Sequence, residues 1–221
     1  MKAVIFDLDG VIVDTIQFYY HSTKRVADEL NVPFTEEDNL YFQGRSRLSL
    51  MEELVKRSGK HYSHEELVTL GEKRNAYYLE WLEKLDETYL LPGIKEFLQE
   101  VKEANLKTGL ASSSSNAKFV LDKLNLDSYF DVIVDPKTLI KGKPDPEIFL
   151  TAADRLNVPY ESCVAIEDGE AGLEGILATP MFSVGIGQAE YLQRARWWIK
   201  SSEQLTLASL QKKWIEVNGE N

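Results

Sequence analysis

Ala3-Val4-Ile5-Phe6-Asp7-Leu8-Asp9-Gly10-Val11-Ile12-Val13-Asp14-Thr15 is the stretch whose reading decides the fold. Its first four residues form an unbroken apolar run, the pattern of a strand buried on both faces of a parallel sheet. Side chains alternate along an extended chain, so Asp7 and Asp9 leave the carboxyl end of that strand on the same side. Gly10 lets the backbone turn sharply after them. Two carboxylates aimed together repel, and they require a metal, a shared proton or open water. An isolated Asp-x-Asp reads most simply as a solvated acidic turn, so its meaning depends on what the rest of the chain brings to it.

Downstream of Thr15 the rhythm is helical. Asp14 is placed to cap a helix with Gln17 as its capping-box partner, and Ile16, Tyr19, Thr23, Val26 and Leu30 follow at helical spacing until Pro33. Shorter helices are expected over 35–43 and 47–58, and Ser63 with Glu66 opens another capping box at the head of a long helix. No strand pattern occurs between Thr15 and about Leu90. The stretch 15–90 therefore reads as an all-helical insertion, in which Tyr77, Tyr78 and Trp81 pack between helices. Within it, Asn39-Leu40-Tyr41-Phe42-Gln43-Gly44 resembles the protease site placed behind purification tags; deep inside a helical pattern, it reads as coincidence.

After Pro92-Gly93 strands and helices alternate. Strands are expected over 107–111, 131–134, 163–166 and 182–186, with helices over 94–104, 117–125, before Leu156, after Gly169 and at the C-terminus. Trp197, Trp198 and Trp214 fit an edge strand and a last helix packed on the sheet. This alternation implies an α/β fold, an open parallel sheet with helices on both faces and its ligand crevice outside the carboxyl ends of the strands.

The polar residues collected at that edge are Asp7 and Asp9, then Ser112 in the run Ser112-Ser113-Ser114-Ser115-Asn116, then Lys143, then Glu167 and Asp168. Each alone has an ordinary explanation, since serines cap helices, lysines are solvated and acidic pairs precede helices. Together they fit phosphoryl transfer. Several carboxylates in one crevice call for a hard divalent cation, Mg2+, while Lys143, the Ser112 hydroxyl and backbone donors neutralise phosphate oxygens. Asp7, at the strand end, is the candidate nucleophile, and Asp9, displaced beyond it, the general acid and base.

The chain has 221 residues, 43% of them hydrophobic, enough for a core with an inserted unit. A formal net charge of -11 without a basic block argues against nucleic acid and anionic membranes as partners. The single cysteine, Cys163, excludes an internal disulfide and reads as a buried inert thiol. The N-terminus reaches Asp7 too early for a signal peptide and no apolar run approaches membrane-spanning length, so a cytoplasmic protein is expected.

In order and context, Asp7-Leu8-Asp9-Gly10, Ser112, Lys143-Pro144 and Glu167-Asp168 resemble the motifs of the haloacid dehalogenase superfamily over essentially the whole chain. The resemblance implies a Rossmann-like core (1–14 and 91–221) with a helical cap (15–90). It implies Asp7 as nucleophile and Asp9 as acid/base. Mg2+ would lie on Asp7, the backbone carbonyl of Asp9 and Asp168, with Glu167 beside it. Gly44-Arg45-Ser46-Arg47, Lys73-Arg74-Asn75 with Tyr78, and Asp135-Pro136 look most like the beta-phosphoglucomutase branch. That branch interconverts beta-glucose 1-phosphate and glucose 6-phosphate through an aspartyl phosphate and a sugar bisphosphate.

A mutase of this kind needs a second anion site, for which Arg47 would grip the distal phosphate with Ser114 and Asn116. Thr15 and Gly44 are placed with the substrate. The expected partner is a small phosphosugar and the expected state a monomer. The chain departs from the branch at Tyr19, where a histidine is usual, and at Leu50, Ser115 and Gly169. These departures favour the alternative, a Mg-dependent sugar-phosphate phosphatase, which needs no distal site. A third reading, a receiver-like module that merely accepts phosphate, has no use for Asp9 or the large insertion.

Overall fold

The first strand, β1 (Ala3–Phe6), has all four residues fully buried, which explains why its sequence does not alternate. Side chains on one of its faces, Val4 and Phe6, join a cluster with Phe97, Val101, Val120, Leu121 and Leu210. Those on the other, Ala3 and Ile5, join Phe149, Ala152, Ala153 and Ile176. The sheet is thus sandwiched between two helical layers. The computed structural model describes residues 1–219, and the last two residues of the segment 91–221 lie outside the described residues.

The remaining strands are β2 (Lys107–Leu110), β3 (Val132–Ile133), β4 (Cys163–Glu167), β5 (Phe182–Ile186) and β6 (Trp197–Ile199). All pair in parallel in the order β3-β2-β1-β4-β5-β6. The helices are α1 (Ile16–Leu30), α2 (Glu36–Tyr41), α3 (Arg47–Ser58), α4 (His64–Leu82), α5 (Ile94–Glu103), α6 (Ala117–Lys123), α7 (Glu147–Leu156), α8 (Glu170–Leu177) and α9 (Leu207–Asn218). The Rossmann-like α/β fold read from the sequence is the fold observed, including the C-terminal edge strand and last helix. The strand expected over 131–134 shortens to two residues, since β3 is a sheet edge with a partner on one side only.

Register positions the site. Phe6 lies beside Leu110 on one side and Ile166 on the other. Asp7 N–H then donates to Ile166 O at 3.0 Å, and Ala111 N–H to Phe6 O at 2.8 Å. Three strand ends therefore finish level, and the polar residues that follow emerge side by side.

Helices α1–α4 form the insertion, with an apolar cluster of Val26, Leu30, Phe34, Met51 and Leu54. Its base merges with the main core through Phe18, Tyr78, Leu82 and Leu85. The chain leaves and returns through paired linkers: Asp14 N–H donates to Tyr89 O at 2.8 Å and Leu91 N–H to Ile12 O at 3.0 Å. The Ser63–Glu66 capping box forms at the head of α4 as expected. The Asp14–Gln17 box does not. Thr15 is the N-cap residue of α1 and makes no side-chain cap, because its hydroxyl donates to Asp9 instead. Asp14 is exposed. Tyr77 bonds Glu29 and Trp81 stacks on Phe18, as packing residues should.

Candidate active site

A cavity of about 290 Å³ opens where the three strand ends face α1–α4. Asp7, Asp9, Ser112, Ser114, Asn116, Glu167 and Asp168 line it from the sheet side, and Gln43, Gly44, Arg47, Tyr19 and Arg74 from the helical side. Its size is at the small end of ligand pockets and suits a sugar phosphate.

At its floor, Lys143 Nζ donates to Asp7 Oδ1 at 2.6 Å and to Glu167 Oε2 at 2.8 Å. All three residues are buried. Burial works against the ammonium, but Asp7 and Glu167 outweigh it and hold the Lys143 pKa above the ordinary lysine value. Glu167 Oε1 also accepts the backbone N–H groups of Asp168 (3.1 Å) and Gly169 (2.9 Å). Its carboxylate packs on Gly172 of α8, filling the space a Cβ there would need.

Asp168 lies in the same way over Gly10, whose φ of +86° and missing Cβ together admit the carboxylate. Oδ2 accepts from Gln43 Nε2, and the main-chain oxygen accepts from the Tyr191 hydroxyl at 2.9 Å. Oδ1 is buried without a hydrogen-bond partner. Oxygens of Asp7, Glu167 and Asp168 all come within 4.8 Å of one another. Three carboxylates thus face one ammonium. Burial, then Glu167, pushes the Asp7 carboxyl up to about 8, and burial with Glu167 and Asp7 lifts Asp168 well above its ordinary value. An orphaned buried oxygen and excess negative charge in an all-oxygen donor set fit a hard divalent cation.

Asp9 is turned away from that cluster. Its carboxylate accepts from Thr15 Oγ1 and from the Tyr19 hydroxyl at 3.2 Å, and the Tyr78 hydroxyl stands 3.5 Å away. Burial raises the Asp9 pKa while the Thr15 and Tyr19 bonds oppose it. Burial, then Asp9, raises Tyr19, which keeps the phenol a donor. Behind them the Arg74 guanidinium lies 4.5 Å over the Tyr19 ring and its Nε donates to Thr23 Oγ1 at 3.2 Å.

At the far end, Arg47 Nη2 donates to Asn75 Oδ1 at 2.7 Å and to Ser115 Oγ at 2.6 Å, while Asn116 Nδ2 donates to the same Asn75 oxygen at 2.8 Å. Ser113 Oγ donates to the Gly44 carbonyl at 2.9 Å. Ser112 is buried, its hydroxyl accepting the Ser114 N–H at 3.1 Å.

A family model described as haloacid dehalogenase-like hydrolase matches residues 1–178. The chain belongs to the haloacid dehalogenase-like hydrolases. Within this family it is 43% identical to the beta-phosphoglucomutase of Bacillus subtilis (strain 168), over 97% of this chain and 96% of that one. It is 36% identical to a phosphorylated carbohydrates phosphatase of Thermotoga maritima, over 79% of each chain. The crystal structure of a beta-phosphoglucomutase from Clostridium difficile superposes with a TM-score of 0.95 at 37% identity, covering 100% of both chains.

Every residue expected at the site from the sequence lies at or beside this cavity, including Thr15 through its bond to Asp9. Arg74, Asn75 and Tyr78 enter the sequence reading as a likeness to the beta-phosphoglucomutase branch, without a site role, and Gln43 has none there. Gln43 sits in the stretch that reads as a chance likeness to a protease site, and only the placement of the helices over the sheet reveals its target. Leu50, a departure from the family pattern, is buried and packs in the helical cluster.

Proposed function

We propose that this enzyme is a beta-phosphoglucomutase that moves a phosphoryl group through Asp7. The observation that carries the reading is a pocket with two unlike ends. Asp7 and Asp9 stand at one end, and Arg47, beside Ser114, Ser115 and Asn116, at the other. A phosphatase needs the first end only.

The Asp7 carboxylate attacks phosphorus, the phosphorus–oxygen bond to the sugar breaks, and the departing oxygen takes the proton from Asp9. In the reverse step Asp9 accepts the proton of a sugar hydroxyl, whose oxygen attacks the aspartyl phosphate and frees Asp7. Starting from phosphorylated Asp7, glucose 1-phosphate becomes the 1,6-bisphosphate. Turned end for end, it returns its other phosphoryl group and leaves as glucose 6-phosphate. Lys143 holds Asp7 in place and offsets charge on the phosphoryl oxygens, and Ser112 with its neighbouring backbone donors completes the cradle.

Asp7, Asp168 and the Asp9 carbonyl, with Glu167 beside them, would hold Mg2+. Held by these residues, the ion would supply positive charge against the phosphoryl oxygens. Arg47 grips the phosphate that is not reacting, helped by Ser114 and Asn116, with Thr15 and Gly44 lining the sugar. Thr15, Tyr19 and Tyr78 orient Asp9 from α1 and α4, so the acid/base is fully held only when the helical cap covers the crevice. We assign residues 15–90 to that cap and 1–14 with 91–221 to the core. On this reading the enzyme works in the cytoplasm as a monomer. No helix among the described residues is long and apolar enough to cross a membrane.

The test supplies Mg2+, beta-glucose 1-phosphate and a trace of the 1,6-bisphosphate, and follows glucose 6-phosphate and free phosphate together. Glucose 6-phosphate should dominate. Dominant phosphate release would replace the reading with the sugar-phosphate phosphatase.

A further inference from the structure

Gln43 belongs to no element of the phosphoryl-transfer machinery, yet it reaches the acidic cluster. The capped helix α2 ends at Tyr41 with Phe42 as its C-cap, and Gly44, with φ +76°, turns the chain down toward the sheet. That turn is pinned where the Ser113 hydroxyl donates to the Gly44 carbonyl at 2.9 Å. From it the Gln43 side chain extends to Asp168, and no other nitrogen among the described residues donates to that carboxylate. The Gln43 main-chain oxygen and Cγ lie against Gly169, so the segment is seated on the loop that carries Asp168.

The two oxygens of Asp168 therefore have unlike surroundings. Oδ2 is taken by the amide, while Oδ1 is buried with no partner. A carboxylate with one oxygen pinned cannot turn freely about its last torsion, so the other oxygen keeps its aim. An amide suits this task because it donates without adding charge. A lysine at 43 would cancel part of the negative charge that attracts a cation, and a glutamate would repel Asp168. The carboxylate's opposite face rests on Gly10, where no side chain can compete for it.

From this geometry we infer that Gln43 is a positioning residue for the cation site, fixing Asp168 Oδ1 toward the metal from the helical side of the crevice. The inference rests on the reading of Asp7, Glu167 and Asp168 as that site. It has a thermodynamic corollary. Because Gln43 arrives from α2 and Asp168 from the end of β4, cation affinity and the seating of the helical segment are linked, each favouring the other. Groups that orient a metal ligand from outside the coordination shell commonly govern affinity by about 10- to 100-fold when removed.

The test measures Mg2+ binding to the whole protein by calorimetry, without sugar or phosphate, so that turnover plays no part. Gln43→Met keeps the length and packing of the side chain and removes the donor; Gln43→Ala removes both. Wild type should bind Mg2+, and both variants should bind about tenfold more weakly. The metal-free melting temperature of Gln43→Met should fall by about 2–10 °C, since the buried Asp168 carboxylate loses its donor at about 1–3 kcal/mol. The rise in melting temperature on adding Mg2+ should shrink in both variants. Unchanged affinity in Gln43→Met would overturn the inference and leave the cation site standing. Absence of Mg2+ binding to the wild type would overturn both.

Discussion

The Tyr19 hydroxyl donates to Asp9 Oδ2 across 3.2 Å, with its ring centred 4.4 Å from that of Tyr78. The position at which the chain departs from the usual histidine therefore carries a donor to the Asp9 carboxylate. Tyr19→Phe keeps the ring against Tyr78 and Arg74 and deletes only that donor. Hydrogen bonds to a charged group contribute about 1.5–3 kcal/mol, so turnover should fall by about 10- to 100-fold with folding preserved. The steady-state rate constant checks this, and an unchanged kcat would show that Thr15 and Tyr78 suffice to hold Asp9.

Arg47 separates the two candidate reactions. It is half-buried, and burial lowers its pKa from the ordinary arginine value while leaving it a cation. Its guanidinium spans the crevice from α3 to Ser115. Arg47→Ala should reduce sugar-phosphate isomerisation by about 100-fold, the scale of a buried charged contact, while hydrolysis of a small phosphomonoester falls by less than about fivefold. Parallel assays on the same preparation decide it. Equal losses in both would count against a distal phosphate site.

Among the described residues, Lys143 is the one ammonium set among Asp7, Glu167 and Asp168. Replacing it with methionine leaves buried carboxylates without their cation, a change of the kind that costs about 3–5 kcal/mol. Denaturant melts of Lys143→Met should show a loss of that order without Mg2+, and added Mg2+ should recover part of it. A variant as stable as wild type in both conditions would mean that the carboxylates are already neutralised by another route.

Much of this arrangement was legible in the chain. The apolar run of β1 announced a strand buried on both faces, and Ser63 with Glu66 announced the start of α4, because both signals are local. Asp7, Ser112, Lys143 and Asp168 could be placed at one edge because parallel strands end level there. What stayed hidden depends on contacts between distant segments. Asp14 has the composition of a cap, but the Thr15 hydroxyl is drawn to Asp9 and α1 begins uncapped. Gln43 is a polar residue with no local signature, and its meaning comes from a carboxylate 125 positions away. Asn75 likewise acquires a role only because Arg47 and Asn116 converge on one oxygen.

The claim on which the rest depends is that Asp7 carries the phosphoryl group and passes it to sugar in preference to water. The direct measurement loads the enzyme from isotopically labelled glucose 1,6-bisphosphate, locates the label by peptide mapping, and then chases it with unlabelled beta-glucose 1-phosphate. The expected result is label on Asp7, absent from Asp7→Asn, and recovered in the sugar bisphosphate on the chase. Label on another residue, or release as free phosphate whether or not sugar is present, would contradict it.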